Sequence, residues 1–176
     1  MAILTRRTLV GCSLGGLLLG SETRAQSAAQ EPLPQPSGKP ILTISGRITR
    51  HNADDKVSLD RATLESLGED GFQTNTPWYT GPTRFDGVRM TRLMEAVGCA
   101  GNTVRAVALN DYTTDIPVSD FAKFSVLLAI KRNGDYMPVR DKGPLFIVYP
   151  FDRFPELQTH QFYSRAAWQV TQLVVS

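Results

Sequence analysis

The sequence predicts a mixed α+β domain, rich in short strands with a few short helices, behind an export segment. Three observations carry that reading. Strand-like stretches recur at short intervals, the clearest being Val104-Arg105-Ala106-Val107-Ala108-Leu109, with its period of two. Helical spacing lasts only a turn or two, as from Met90 to Val97, where Leu93, Met94 and Val97 share one face. Strands and helices do not alternate strictly, so a doubly wound parallel sheet is not expected.

The N-terminus reads differently from the rest. Thr5-Arg6-Arg7-Thr8-Leu9-Val10 sets paired arginines before a glycine-diluted apolar run, Leu9 to Gly20. A basic start, an apolar stretch and a small-residue exit describe a secretory signal. The arginine pair indicates the twin-arginine route, which exports folded proteins, and Arg24 disfavours the channel for unfolded chains. The apolar run is too short to span a bilayer, which takes about 20 apolar residues. Residues 1–25 are therefore expected to be removed, with cleavage after Ala25 or after Ala29. Leu9-Val10-Gly11-Cys12 also fits a lipidation box. There, however, the apolar Leu14 to Leu19 follows the cysteine instead of preceding it, so the match is read as chance.

Removing residues 1–25 takes away three arginines and one glutamate, the whole excess of 19 Lys+Arg over 17 Asp+Glu. A neutral mature chain lacks the clustered basic excess of a nucleic-acid binder. It also has no second apolar run long enough to cross a membrane, so a periplasmic domain is expected. Only Cys99 survives cleavage, which leaves no internal disulfide. Gln26 to Pro40 is a linker rich in Pro, Gln and Ser, and order is expected from Ile41 through Ser176 as one domain.

The elements follow in order. Ile41 to Ile44 is a strand ended by Ser45-Gly46 and resumed by Arg47-Ile48. Val57 opens a short strand, and Ser58 or Asp60 caps a helix through Leu67 that Gly68 stops. Phe72 to Pro82 reads as a strand end and a loop, Thr83 to Val88 as a strand or turn, and Met90 to Val97 as a helix ended by Gly98. Tyr112 to Ile116 pairs with the strand before it, and Pro117 with Asp120 opens a short helical turn. Phe124 to Ile130 is a buried strand, and Asn133-Gly134 marks a hairpin. Leu145 to Tyr149 is an apolar central strand, Phe162 to Trp168 a helix, and Val170 to Val175 the last strand.

Five segments, in this order, carry a resemblance: "ILTISGRI", "VSLDRATLESLG", "FDGVRMTRLMEAVG", "NDYTTDIPVSDF" and "NGDYMPVRDKGPLFIVYP". Together they resemble the molybdopterin-binding domain of the sulfite oxidase family in its short, stand-alone bacterial form, over Ile41 to Ser176. The resemblance implies a β-rich α+β fold and a molybdopterin cofactor inserted before export. It also implies oxygen-atom or electron transfer at molybdenum. The family's metal-binding cysteine lies before the Gly-Val helix, in the stretch that here runs from Glu69 to Gly87 and contains no cysteine. Cys99 comes after that helix and is read as structural. Phe146 stands where the family has an arginine.

Trp78, Asn110, Asp111, Tyr112 and Lys142 are the candidate ligand-binding residues. Trp78 offers an aromatic wall for a flat ligand, or else packs on the core. Asn110, Asp111 and Tyr112 follow a firm strand, where they either face a pocket or form an ordinary turn. Lys142 either pairs with a phosphate or carboxylate or stays a solvated charge. His51 is expected to be exposed; His160, near Tyr163 and Arg165, either belongs to a site with them or stands alone, and a lone histidine is not expected to be catalytic. No zinc spacing, hydrolase motif or phosphate-cradling glycine loop is present, so no metal ligand is assigned. Two functions stay open: a molybdopterin-type oxidoreductase binding a pterin or small polar ligand, and a non-catalytic periplasmic binding or sensory module. The substrate and any protein partner are not legible.

Overall fold

The computed structural model describes residues 33–176, so the expected signal, its cleavage sites and the start of the linker lie outside the described residues. Ten strands and four short helices make up the described chain, an α+β domain built on two sheets. The first sheet has the order β2-β1-β10-β5-β6, comprising Val57–Leu59, Leu42–Gly46, Val170–Val175, Thr103–Ala108 and Thr113–Pro117. The last strand lies at its centre, parallel to β1 and antiparallel to β5. The second sheet joins β3 (Asp70–Thr76), β4 (Tyr79–Arg89), β7 (Leu127–Arg132) and β8 (Asp135–Tyr136). β9 (Phe146–Val148) pairs with β7 beside Leu127 to Ala129, while β8 pairs with Lys131 and Arg132. Among the described residues, no helix is long and apolar enough to cross a membrane.

Local chemistry sets most of these boundaries. Asp60 caps α1 (Arg61–Ser66): its Oδ1 accepts from the Thr63 amide at 2.8 Å and from the Thr63 hydroxyl at 2.6 Å. Gly68 follows that helix at φ 101°, a left-handed conformation that glycine adopts without penalty. α2 (Met90–Ala96) buries Met90, Leu93 and Met94, and the Asn133-Gly134 turn closes the β7–β8 hairpin.

Several expectations are corrected. The stretch from Phe72 to Pro82 is no loop; it holds most of β3 and the start of β4, joined at Pro77-Trp78. Its buried positions are Thr74 and Thr76, and Thr83 follows directly after it; all are polar, so the strand alternation is masked. Phe124 ends α3 (Val118–Phe124), Ser125 turns left-handed at φ 55°, and β7 starts only at Leu127. The apolar strand near the end of the chain is short and lies at the side of β7, not at the centre. The last helix, α4, is His160–Arg165, and Trp168 beyond it is extended and bridged to Phe146.

Order also begins before Ile41. Leu33 is buried, the Gln35 side chain donates to the Asn52 carbonyl, and Asn52 Nδ2 donates to the Pro34 carbonyl. Farther along, Ser37 Oγ and the Gly38 amide both donate to Asp60 Oδ2, at 3.2 and 2.6 Å. Asp60 therefore serves as helix cap and tether at once.

Candidate functional site

A cavity of about 280 Å³ opens where the β3–β4 turn, the β5–β6 turn, α4 and the segment before β10 meet. Its volume falls near the lower end for small-molecule sites. Its floor is aromatic. The Trp78 ring stands edge-on to Trp168 at 5.4 Å, to Phe146 at 5.5 Å and to Phe151 and Tyr163 at 6.1 Å each. Such edge-to-face pairs contribute about 0.5–1.5 kcal/mol each beyond their burial. Phe146 and Phe151 are fully buried, whereas Trp78, Tyr163 and Trp168 are half-buried and line the cavity.

The rim is polar. Asn110, Tyr112, His160 and Ser164 line it, and among the described residues no carboxylate does. Tyr112 reaches across from the β5–β6 turn, and its hydroxyl donates to the Ser164 carbonyl of α4 at 2.7 Å. The base of that turn is closed by the Ala108 amide on the Tyr112 carbonyl at 2.9 Å.

Of the five candidate residues, Trp78, Asn110 and Tyr112 come together in this cavity. Asp111 does not line it. It is exposed at φ 61°, and its amide donates to the Ala108 carbonyl, as a turn residue's does. Lys142 lies outside the lining too, but its Nζ is 4.9 Å from the Trp168 ring and 5.3 Å from Tyr79. It backs the aromatic floor by cation–π contact. Tyr79 sits beside it, its hydroxyl donating to Asp141, and burial pushes its phenol above the ordinary tyrosine range.

Beyond the five candidates, His160, Tyr163, Ser164, Ala166, Ala167 and Trp168 line the cavity too. Four of them flank or belong to α4, whose place depends on tertiary contacts. Arg165 donates to Asp120 Oδ2 at 2.9 Å, and the Tyr149 hydroxyl donates to the same oxygen at 3.0 Å. Phe162 packs on Phe124 at 5.3 Å and on Tyr149 at 5.7 Å. Burial and the Asp120 charge push the Tyr149 phenol far above its usual range, so it stays a donor to the carboxylate.

The fold and cavity define the class: a two-sheet α+β domain with an aromatic pocket closed by loops at one end. Residues 57–151, more than half of the 176-residue chain, match the family of the oxidoreductase molybdopterin binding domain. The chain belongs to that family. No curated protein matches it.

The residues fit one part of a molybdopterin better than the other. Flat aromatic walls with amide, imidazole and hydroxyl groups at the rim suit a heteroaromatic ring. Among the described residues, the cavity lining offers no thiolate to hold a metal. The hairpin from Asp70 to Arg89 has no cysteine, and its turn delivers Trp78 to the cavity. Cys99 lies elsewhere, bridged to Ile48, with its Sγ 3.7 Å from the Gly101 carbonyl. Among the described residues, no three His, Cys, Asp or Glu side chains gather as a ligand set.

Proposed function

We propose that the chain is an exported periplasmic ligand-binding module of this family. Its pocket takes a flat, polar heterocycle of the pterin type, and it works without a molybdenum held by a protein thiolate. The cavity itself carries the reading: Trp78, Trp168 and Tyr163 offer aromatic surface, and Asn110 and His160 offer hydrogen-bonding groups around it. The twin-arginine sequence Thr5 to Val10 supports export after folding, which suits a protein loaded with a cofactor in the cytoplasm.

The test uses the chain's own chromophores. Its only two tryptophans, Trp78 and Trp168, both line the cavity, so tryptophan emission reports on the pocket. Titrating the mature protein with biopterin is expected to quench that emission saturably, and Trp168→Leu is expected to weaken the binding. Emission that biopterin leaves unchanged would remove the pterin assignment. Stoichiometric molybdenum in protein purified from its native periplasm would remove the metal-free part. Export is checked separately, because lysine at both Arg6 and Arg7 should trap precursor in the cytoplasm.

A further inference from the structure

The wall that α4 gives the cavity is fixed on one side only by buried groups. On its inner side Arg165 bonds the buried Asp120, while Phe162 and Tyr163 pack on Phe124, Tyr149 and Phe151. On the outer side, the bond from the Tyr112 hydroxyl to the Ser164 carbonyl joins α4 to the facing turn. Ser164 stands in the last turn of a six-residue helix, where carbonyls lack intrahelical partners. The Tyr112 hydroxyl therefore takes the place of water on a carbonyl that water would otherwise satisfy.

Tyr112 is 42 % exposed and lines the cavity at the same time, so its ring lies at the mouth and bridges it. Its backbone is held by the Ala108 amide, which leaves the side-chain torsions as the way to swing. When it swings, both hydroxyl and carbonyl exchange their shared bond for bonds to water. One such exposed bond favours the closed arrangement by about two- to tenfold. That preference is strong enough to shape entry and weak enough to break thermally.

The geometry points to Tyr112 as a strap over the pocket, latched on the Ser164 carbonyl, that opens to admit and release the ligand. Only the ligand-rate arm of the test rests on the proposed pterin binding. In the ligand-free arm, acrylamide quenching of Trp78 and Trp168 measures access to the cavity. Tyr112→Phe keeps the ring and removes the latch, and its quenching constant is expected to rise; Tyr112→Ala, which removes the strap, is expected to raise it further. Asp111→Asn, in the same turn but outside the lining, is expected to match the parent protein. In stopped-flow mixing with biopterin, Tyr112→Phe is expected to raise association and dissociation rates together by about two- to tenfold, with little change in Kd. Quenching unchanged in both Tyr112 variants overturns the strap. So does a Tyr112→Phe effect confined to Kd with association rates unmoved, which would make the hydroxyl a ligand contact instead. If biopterin binds to none of the proteins, the pterin reading fails while the acrylamide arm still decides the strap.

Discussion

Asp60 and Asp120 are both nearly buried, and each joins elements far apart in sequence, but they are satisfied in different ways. Four uncharged donors surround Asp60: the Thr63 amide and hydroxyl, the Gly38 amide and the Ser37 hydroxyl. Asp120 instead receives one cation, Arg165, and one phenol, Tyr149. The first ties the segment ahead of β1 to a helix start. The second ties α4, and with it one wall of the cavity, to α3 and the strand end at Tyr149. A carboxylate held by neutral dipoles is vulnerable mainly to its own protonation. One held by an ion pair is vulnerable to loss of the partner, which leaves a charge stranded in the interior.

The largest effect is expected at the ion pair. Arg165→Met would leave Asp120 with Tyr149 as its remaining donor, at a cost of about 3 kcal/mol in urea unfolding. The same variant is expected to free α4 and raise acrylamide access to the tryptophans. A cost below about 1 kcal/mol would mean that Asp120 reaches water and that the contrast with Asp60 is mistaken.

The second prediction concerns acid. Hydrogen bonds from Thr63 and Gly38 hold the Asp60 carboxyl well below the usual range, and arginine partners lower Asp70 and Asp115 too. A depressed carboxyl contributes stability that is fully present above its unfolded value, about 4, and is lost as pH falls toward the folded one. Stability should therefore decline below about pH 4. Asp60→Asn should be less stable than the parent at neutral pH and show a flatter acid slope. Parallel slopes in the two proteins would remove Asp60 as a source of the acid sensitivity.

Smaller effects refine the picture around Asp120 and the rim. Tyr149→Phe deletes one of the two donors while the cation stays, and should cost about 1 kcal/mol. Asp111→Ala should cost about 1–2 kcal/mol, because alanine gains no local hydrogen bond in the left-handed conformation that Asp111 adopts. It should leave biopterin binding alone, since Asp111 is outside the cavity lining; loss of binding with the fold intact would return Asp111 to the site.

These residues also mark where the sequence was readable. The cap was narrowed to Ser58 or Asp60, and the structure gives it to Asp60, with Ser58 inside β2; Gly68 as a helix stop and Asn133-Gly134 as a hairpin turn are decided within a few residues, and both are found in the structure. β5 was legible for the same reason, its alternation being complete in itself, and β6 pairs with it as its neighbour in sequence. The turn end of the β3–β4 hairpin was not, because Thr74, Thr76 and Thr83 fill its buried positions and polarity hides the period. Trp168 was misplaced because Phe162 and Trp168 both suit a helix, whereas the ring is needed against Trp78 and Phe146 in the aromatic floor. The convergence of Trp78, Asn110 and Tyr112 could be suspected from strand ends and turns. The far wall could not, since His160, Tyr163 and Ser164 reach the cavity through contacts that Arg165 and Phe162 make with residues distant in sequence.

The pairing of Trp78 with Trp168 has an optical consequence. Two indoles 5.4 Å apart with their planes inclined at 70° are close enough for their electronic transitions to mix. The mixed transitions rotate light with opposite signs, giving a paired positive and negative band in the circular dichroism of the aromatic chromophores. That couplet depends on the mutual orientation of the rings and disappears when either indole is replaced. It distinguishes a protein whose strands are intact but whose pocket floor has loosened from one that has kept both.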